Sequence, residues 1–172
     1  MHLFWRQGYE ATSIQDLVEH MGIGRGSLYA TFGDKHTLYL AAFDRYCATV
    51  GAGFLAPLAE PIPVCAALRR VFDGVAAESL AEGHHGCLMA NGTLELASHD
   101  GDVRRRVELG LQGAEDTIAR ALALAQATGE LAAGRDPRAL EDIARATLSA
   151  LDRPFLPLFW NDDLSQDFRR DQ

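Results

Sequence analysis

Apolar residues recur every three to four positions along this chain, and the strict alternation of a half-buried strand is nearly absent, so the pattern predicts an all-α protein. Leu3 and Phe4 open a short apolar and polar segment that Gly8 closes, which makes a first helix of under two turns. In "TSIQDLVEHMG" the pairs Thr12 with Gln15 and Ser13 with Asp16 each fit a capping box ahead of Ile14, Leu17, Val18 and Met21, and Gly22 ends the helix. A third short helix fits Arg25 to Phe32, with Leu28 and Phe32 facing inward. Asp34 is placed to cap the first long helix, "GDKHTLYLAAFDRYCATVGAGFLAPL", whose inward positions are Leu38, Ala42, Phe43, Tyr46 and Val50.

"AEPIPV" breaks the pattern, because each proline disfavours helix at the residue before it. Beyond Pro63 the spacing of Val64, Leu68, Val71, Phe72 and Val75 predicts a helix to about Gly83, and "GHHG" interrupts again. Helix resumes through "CLMANGTLELASH", pauses at "DGD", and continues past Val103, Val107, Leu111, Ile118, Leu122 and Leu124 toward Gln126. After the loop "TGELAAGRDP", the segment "PRALEDIARATLSALD" has Pro137 near its first turn and Leu140, Ile143, Ala144, Thr147, Leu148 and Leu151 inward. From Asp152 onward two prolines within an aromatic cluster and a polar tail predict at most a ragged terminal segment.

Composition narrows the class. A chain of 172 residues with 48% hydrophobic and 23% charged content buries a real core, which excludes disorder as its main state. The net charge of −8 excludes a protein that coats nucleic acid or anionic membrane with its whole surface, and leaves room for a local site on one face. Cys47, Cys65 and Cys87 are an odd number without metal spacing, which predicts reduced thiols in a cytoplasm. No apolar run approaches the ~20 residues of a membrane span, and "MHLFWRQGYE" is too short and polar for a signal peptide.

The chemistry concentrates in "GIGRGSLYATFGDKHTL", where weak helix formers surround Arg25, Tyr29 and Lys35. Two short helices joined by a Met-Gly-Ile turn have the layout of a helix-turn-helix. Gly22 supplies a positive φ for the turn, while Gly24 and Gly26 bare the start of the second helix to a phosphate or a groove edge. Arg25 and Ser27 then project where side chains reach bases, Tyr29 and Thr31 are suited to phosphate oxygens, and Lys35 supplies a point charge. Thr12 and Ser13 are placed to donate from the other side.

On these residues, the segment from Phe4 to Phe43 resembles the DNA-binding domain of the TetR family of transcriptional repressors. The resemblance rests on Phe4 to Gly8 with Tyr9, Thr12-Ser13-Ile14, Gly22-Ile23, Gly26-Ser27-Leu28-Tyr29, Phe32, and Asp34-Lys35 with Leu38. "GCLMANGTLELASHD" is similar to a ligand-domain segment of one TetR branch, and "GELAAGRDPRALEDIARATLSAL" to the late helices before the dimer contact. The resemblance implies a three-helix DNA-binding head over residues 1–46 and a helical ligand-binding and dimerisation domain over 47–172. It further implies a homodimer on a palindromic operator of double-stranded DNA, released by a small-molecule inducer. Against the family pattern the first helix is truncated at Met1, and Pro154 and Pro157 stand where an apolar dimer helix is expected.

Apolar candidates for an inducer pocket are Phe54, Leu58, Phe72, Cys87, Met89 and Leu94, with Leu68 and Leu122 in the same class; core packing explains them equally well. Cys87 is either a small buried residue at a helix start or a thiol that senses oxidants. His84, His85, Glu95 and His99 lack a recognised metal signature and read as loop and surface residues, so no metal or cofactor is expected. No nucleophile–base pair or phosphate loop is present, and the chain reads as a regulator, not an enzyme. The reading from a different class is an all-helical small-molecule-binding or enzymatic protein with a non-functional DNA-binding head.

Overall fold

A computed structural model of the chain describes residues 1–80 and 85–132. The segment expected as a helix over Pro137–Asp152, the tail after it, Gly83 and His84 lie outside the described residues. Among the described residues every regular element is helical, as the periodicity predicts. Helices α1 (His2–Gln7), α2 (Ile14–Met21) and α3 (Arg25–Phe32) form the head, and α4 (Lys35–Tyr46) leads out of it.

Local chemistry sets these boundaries. Of the two capping boxes open to the sequence, the one that forms is Ser13 with Asp16: the Asp16 amide donates to Ser13 Oγ at 3.1 Å, and the Ser13 amide donates to Asp16 Oδ2 at 2.9 Å. Gly22 ends α2 in the left-handed region at φ 65°, which glycine adopts without steric cost. Asp34 caps α4 by accepting from the Thr37 amide at 2.6 Å.

The long helix expected after Asp34 does not run straight. It passes from α4 into a wide π-helical turn over Cys47–Gly51, a single turn α5 (Ala52–Leu55) and a tight 3-10 turn over Ala56–Ala59. Gly51, Gly53 and Pro57 supply the weak helix propensity, and Thr49 Oγ1 bonds back to the Arg45 carbonyl at 2.7 Å. Helices α6 (Val64–Leu80), α7 (Leu88–Glu95) and α8 (Gly101–Ala127) complete the body. Asp100 caps α8 through the amides of Asp102 at 2.9 Å and Val103 at 3.1 Å.

One core runs from head to body. Phe4, Leu28, Tyr39 and Phe43 pack in the same cluster as Leu88, Leu96 and Val103, each burial contributing on the order of 1.5–3 kcal/mol. The rings of Phe4 and Tyr39 meet edge to face at 5.1 Å. At the crossing of α7 over α4, a Cβ on Gly92 would stand 2.7 Å from Tyr39 Oη and 3.0 Å from Phe43 Cε2, so only glycine permits this approach. A second cluster joins Val64 of α6 to Ile118, Leu122 and Ala125 of α8, and a third joins Val71 and Val75 to Phe54 and Leu55.

Three apolar residues of the predicted helical spacing prove exposed. Met21 is 40% exposed, Phe72 38% and Leu124 65%. The buried line of α6 is Val64, Ala67, Val71 and Val75, which turns the adjacent Phe72 to the flank. Likewise Ile118, Leu122 and Ala125 define the buried face of α8, and Leu124 falls off it. No described helix is long and apolar enough to cross a membrane.

Candidate nucleic-acid interface and body cavity

α2 and α3 meet across the Gly22 turn, and α3 is two-faced. Leu28 is fully buried, whereas Arg25, Gly26, Ser27, Tyr29 and Thr31 are all exposed. The start of α3 has no side-chain cap, with Gly24 at the capping position. A Cβ on Gly26 would meet nothing within 4 Å, and one on Gly24 only Ser27 Oγ at 4.0 Å. Packing within the chain therefore demands glycine at neither position, and the bare backbone leaves the first amides of α3 open to an anion.

Arg25 reaches back to α2, where its Nη2 donates to Gln15 Oε1 at 3.2 Å. Gln15 in turn donates to Glu19 Oε1 at 2.6 Å, so a polar chain ties both helices across their open side. The sequence reading missed Gln15, considering it only as a capping partner of Thr12; its signal was an exposed amide one helix before an exposed Arg. Ser13 sits on the rim of the same surface, and its hydroxyl and amide hold the Asp16 carboxyl below the usual carboxylate range.

Two other expected DNA contacts are occupied inside the head. Thr12 is fully buried and donates from Oγ1 to the Gly8 carbonyl at 2.6 Å. Lys35 Nζ donates to the carbonyls of Tyr9 at 2.8 Å and Thr12 at 2.9 Å, and lies 4.2 Å from the centre of the Tyr9 ring. Lys35 thus fastens the start of α4 to the α1–α2 turn.

The same turn is held from the body. Glu95, at the end of α7, accepts from the amides of Tyr9 at 2.9 Å and Glu10 at 2.8 Å. Gly8, at φ 81°, makes room for it: a Cβ there would lie 2.9 Å from Glu95 Oε2. Trp5 Nε1 donates to the Gly86 carbonyl at 2.5 Å, and His36 Nε2 meets Asp100 Oδ2 at 2.7 Å. These long-range links, invisible to local sequence patterning, orient the head on the body.

The inducer-pocket candidates scatter. Leu94 is 72% exposed and Phe72 faces solvent, Phe54 packs on Val71 and Val75, and Leu58 lines a small groove of about 170 Å³. Cys87 belongs to the head–body core, 3.4 Å from Tyr46 Oη. Met89 alone of the six borders the larger cavity, about 440 Å³, between the π-helical turn and α8. Cys47 lies beside it, its thiol pushed up to about 11 by burial. Of the residues set aside as metal ligands, Glu95 is engaged by the head; separately, His36, Asp100 and Asp102 bring their ligand atoms within 4.8 Å of one another, with Asp100 engaged in capping α8 and in the bond to His36.

A short helix followed by a glycine turn and a second, exposed-faced helix with a bare start defines a helix-turn-helix head, the class of bacterial DNA-binding regulators. Comparison with known proteins makes the family explicit. Residues 1–42 match the family model "Bacterial regulatory proteins, tetR family", and residues 64–152 match "Tetracyclin repressor-like, C-terminal domain". The chain is 36% identical over 132 residues to the uncharacterized HTH-type transcriptional regulator YezE of Bacillus subtilis, covering 76% of this chain and 68% of that protein. It is 36% identical over 133 residues to the HTH-type transcriptional repressor ComR of Escherichia coli, covering 76% of this chain and 63% of that one. Among solved structures, the TetR family regulator CifR in complex with 26 bp operator DNA superposes with a TM-score of 0.77 at 25% identity, over 89% of this chain and 79% of that one. The chain belongs to the TetR family.

Proposed function

We propose that the chain is a transcriptional repressor whose α3 reads a palindromic operator from within a homodimer, and that a small molecule bound in its body releases it. Residues 1–46 serve as the DNA-binding unit and 47–172 as the ligand-binding and dimerisation unit, acting in the cytoplasm. The observation that carries the reading is the exposed face of α3, where Arg25, Ser27, Tyr29 and Thr31 surround an uncapped helix start over a fully buried Leu28. The operator complex of CifR supports the same assignment of partner.

Arg25 supplies the bidentate donor for a guanine edge with Ser27 beside it at the bases, and Tyr29, Thr31 and the amides near Gly24 and Gly26 supply phosphate contacts. Ser13 adds a donor at the α2 rim. Thr12 and Lys35 act at one remove, by fixing the turn that sets the angle of α2 and α3. Two such heads about one helical turn apart (~34–36 Å) match the two halves of a palindrome. A ligand that favours another head spacing shifts the population off DNA.

An electrophoretic shift with the DNA flanking its own gene tests this. Binding that weakens steeply with salt, and that Arg25→Ala and Tyr29→Ala each weaken further without unfolding the chain, is the expected result. No shift at low salt overturns it in favour of a body that binds small molecules beneath an inactive head.

A further inference from the structure

Much of the wall of the cavity beside the π-helical turn is glycine and alanine, with Leu55, Leu109 and Thr117 among the remaining lining. Ala48 and Gly51 on one side face Gly110 and Gly113 of α8 on the other, with Cys47 and Met89 between them. These walls differ in how tightly they are held. A Cβ on Gly110 would stand 2.8 Å from the terminal methyl of Met89, which would have to move aside, whereas one on Gly113 would meet nothing within 4 Å. Gly113 is itself exposed, so it lies where the cavity opens to solvent, and the cavity's volume of about 440 Å³ suits a small ligand.

The lining carries two charged side chains, Asp44 of α4 and Arg106 of α8, and they pair with each other at 2.9 Å. The pair is unequal. Asp44 is 56% exposed at its side chain and Arg106 only 28%, and Arg106 is also anchored by Nη1 on the Asp102 carbonyl at 3.3 Å. A half-exposed ion pair contributes little, so a competing acceptor readily takes the place of Asp44 and a competing cation that of Arg106. If an acid enters, Asp44 swings into water at small cost and the planar guanidinium keeps a carboxylate partner. If an amine enters and takes Asp44, the more buried Arg106 is left without its counter-ion. The asymmetry selects anions.

We propose that this cavity is the effector site and that its ligand is a small apolar carboxylate, its tail lying along Cys47, Met89 and the glycine walls and its head on Arg106 in place of Asp44. The proposal deepens the regulatory reading above and rests on it for its consequence. Asp44 belongs to α4, whose first residue, Lys35, holds the α1–α2 turn of the head, so the exchange removes a tie between α8 and the helix on which the head is seated.

Calorimetric titration of the full chain with octanoate, 1-octanol and octylamine, all below their micelle range, tests the ligand class without DNA. Octanoate should bind at least about tenfold more tightly than the alcohol or the amine, and Arg106→Gln should remove that advantage. Gly113→Leu should block octanoate while leaving the melting temperature equal to or above that of the unaltered chain, since it replaces a helix glycine facing open space. Equal binding of the three probes, preference for the amine, undiminished binding to the Gly113→Leu chain, or binding of none overturns the proposal. Because these readings involve no DNA, they leave the operator assignment standing or falling by its own shift assay. Octanoate that binds but does not lower the affinity of a shifting chain for its DNA overturns the exchange as a regulatory step.

Discussion

Replacing Glu95 by alanine removes the acceptor that the body offers to the α1–α2 turn. Its carboxylate takes two backbone N–H bonds, from Tyr9 at 2.9 Å in a part-buried setting and from Glu10 at 2.8 Å in an exposed one. A hydrogen bond to a charged group contributes about 1.5–3 kcal/mol where water is excluded and far less where it is not, which places the loss at about 2 kcal/mol. For a chain of this length each 1 kcal/mol shifts the melting temperature by about 2–4 °C, so Glu95→Ala should melt about 4–8 °C lower. Glu95→Gln should recover only part of this, because its NH2 turns a donor toward one of the two amides. The same contact predicts coupling with Gly8. Gly8→Ala is strained at φ 81° and also sets a Cβ 2.9 Å from Glu95 Oε2, so in the Glu95→Ala background part of its cost should vanish, with a coupling energy above about 0.5 kcal/mol. A melting temperature for Glu95→Ala within 1 °C of the unaltered chain, or strictly additive effects of the two substitutions, would refute the idea that this carboxylate docks the head (both about the error of such measurements).

Other consequences can be checked in solution. Gly92→Ala places a methyl 2.7 Å from Tyr39 Oη at the α7–α4 crossing, and urea unfolding should show a loss of about 1–3 kcal/mol; a neutral result would mean the two helices separate freely. Thr12→Val keeps the shape of a fully buried side chain but deletes its bond to the Gly8 carbonyl, with an expected loss of about 1 kcal/mol by the same assay. Burial acts to raise the Asp100 carboxyl, but the bonds it accepts from Val103, Asp102 and His36 outweigh this and hold it below the usual carboxylate range. A depressed folded value means stability that is present above the unfolded carboxylate value of about 4 and is lost as pH falls through the folded one, so urea midpoints taken from pH 5 to pH 3 should fall less for Asp100→Asn than for the unaltered chain.

Local punctuation made the head legible in the sequence. Ser13 with Asp16, Gly22 and Asp34 act through hydrogen bonds within three residues or through one backbone conformation, and each is found where the pattern placed it. Periodicity also located α6, α7 and α8, but it could not choose between neighbouring apolar residues at the edge of a stripe, which is why Phe72 and Leu124 prove exposed. Thr12 and Lys35 show a different limit. Both residue types commonly meet DNA, yet the carbonyls of Gly8, Tyr9 and Thr12, turned inward by the α1–α2 bend, claim them first. The docking of the head by Glu95, Trp5 and His36 spans sequence separations of 64 to 86 residues and leaves no local trace. The cavity left little trace because much of its wall is what side chains lack: the large apolar candidates point to core and surface positions and reach it only at Met89, whereas Ala48, Gly51, Gly110 and Gly113 shape the space.

In the proposed repressor α3 reads bases through Arg25. A loss-of-contact titration tests it: affinities of the unaltered chain and of Arg25→Ala are measured for the operator and for a set of operators with each guanine replaced in turn. One symmetric guanine substitution should cost the unaltered chain about 1–3 kcal/mol per half-site and cost Arg25→Ala almost nothing. If Arg25→Ala pays the same penalty at every guanine as the unaltered chain does, an element other than Arg25 reads the DNA.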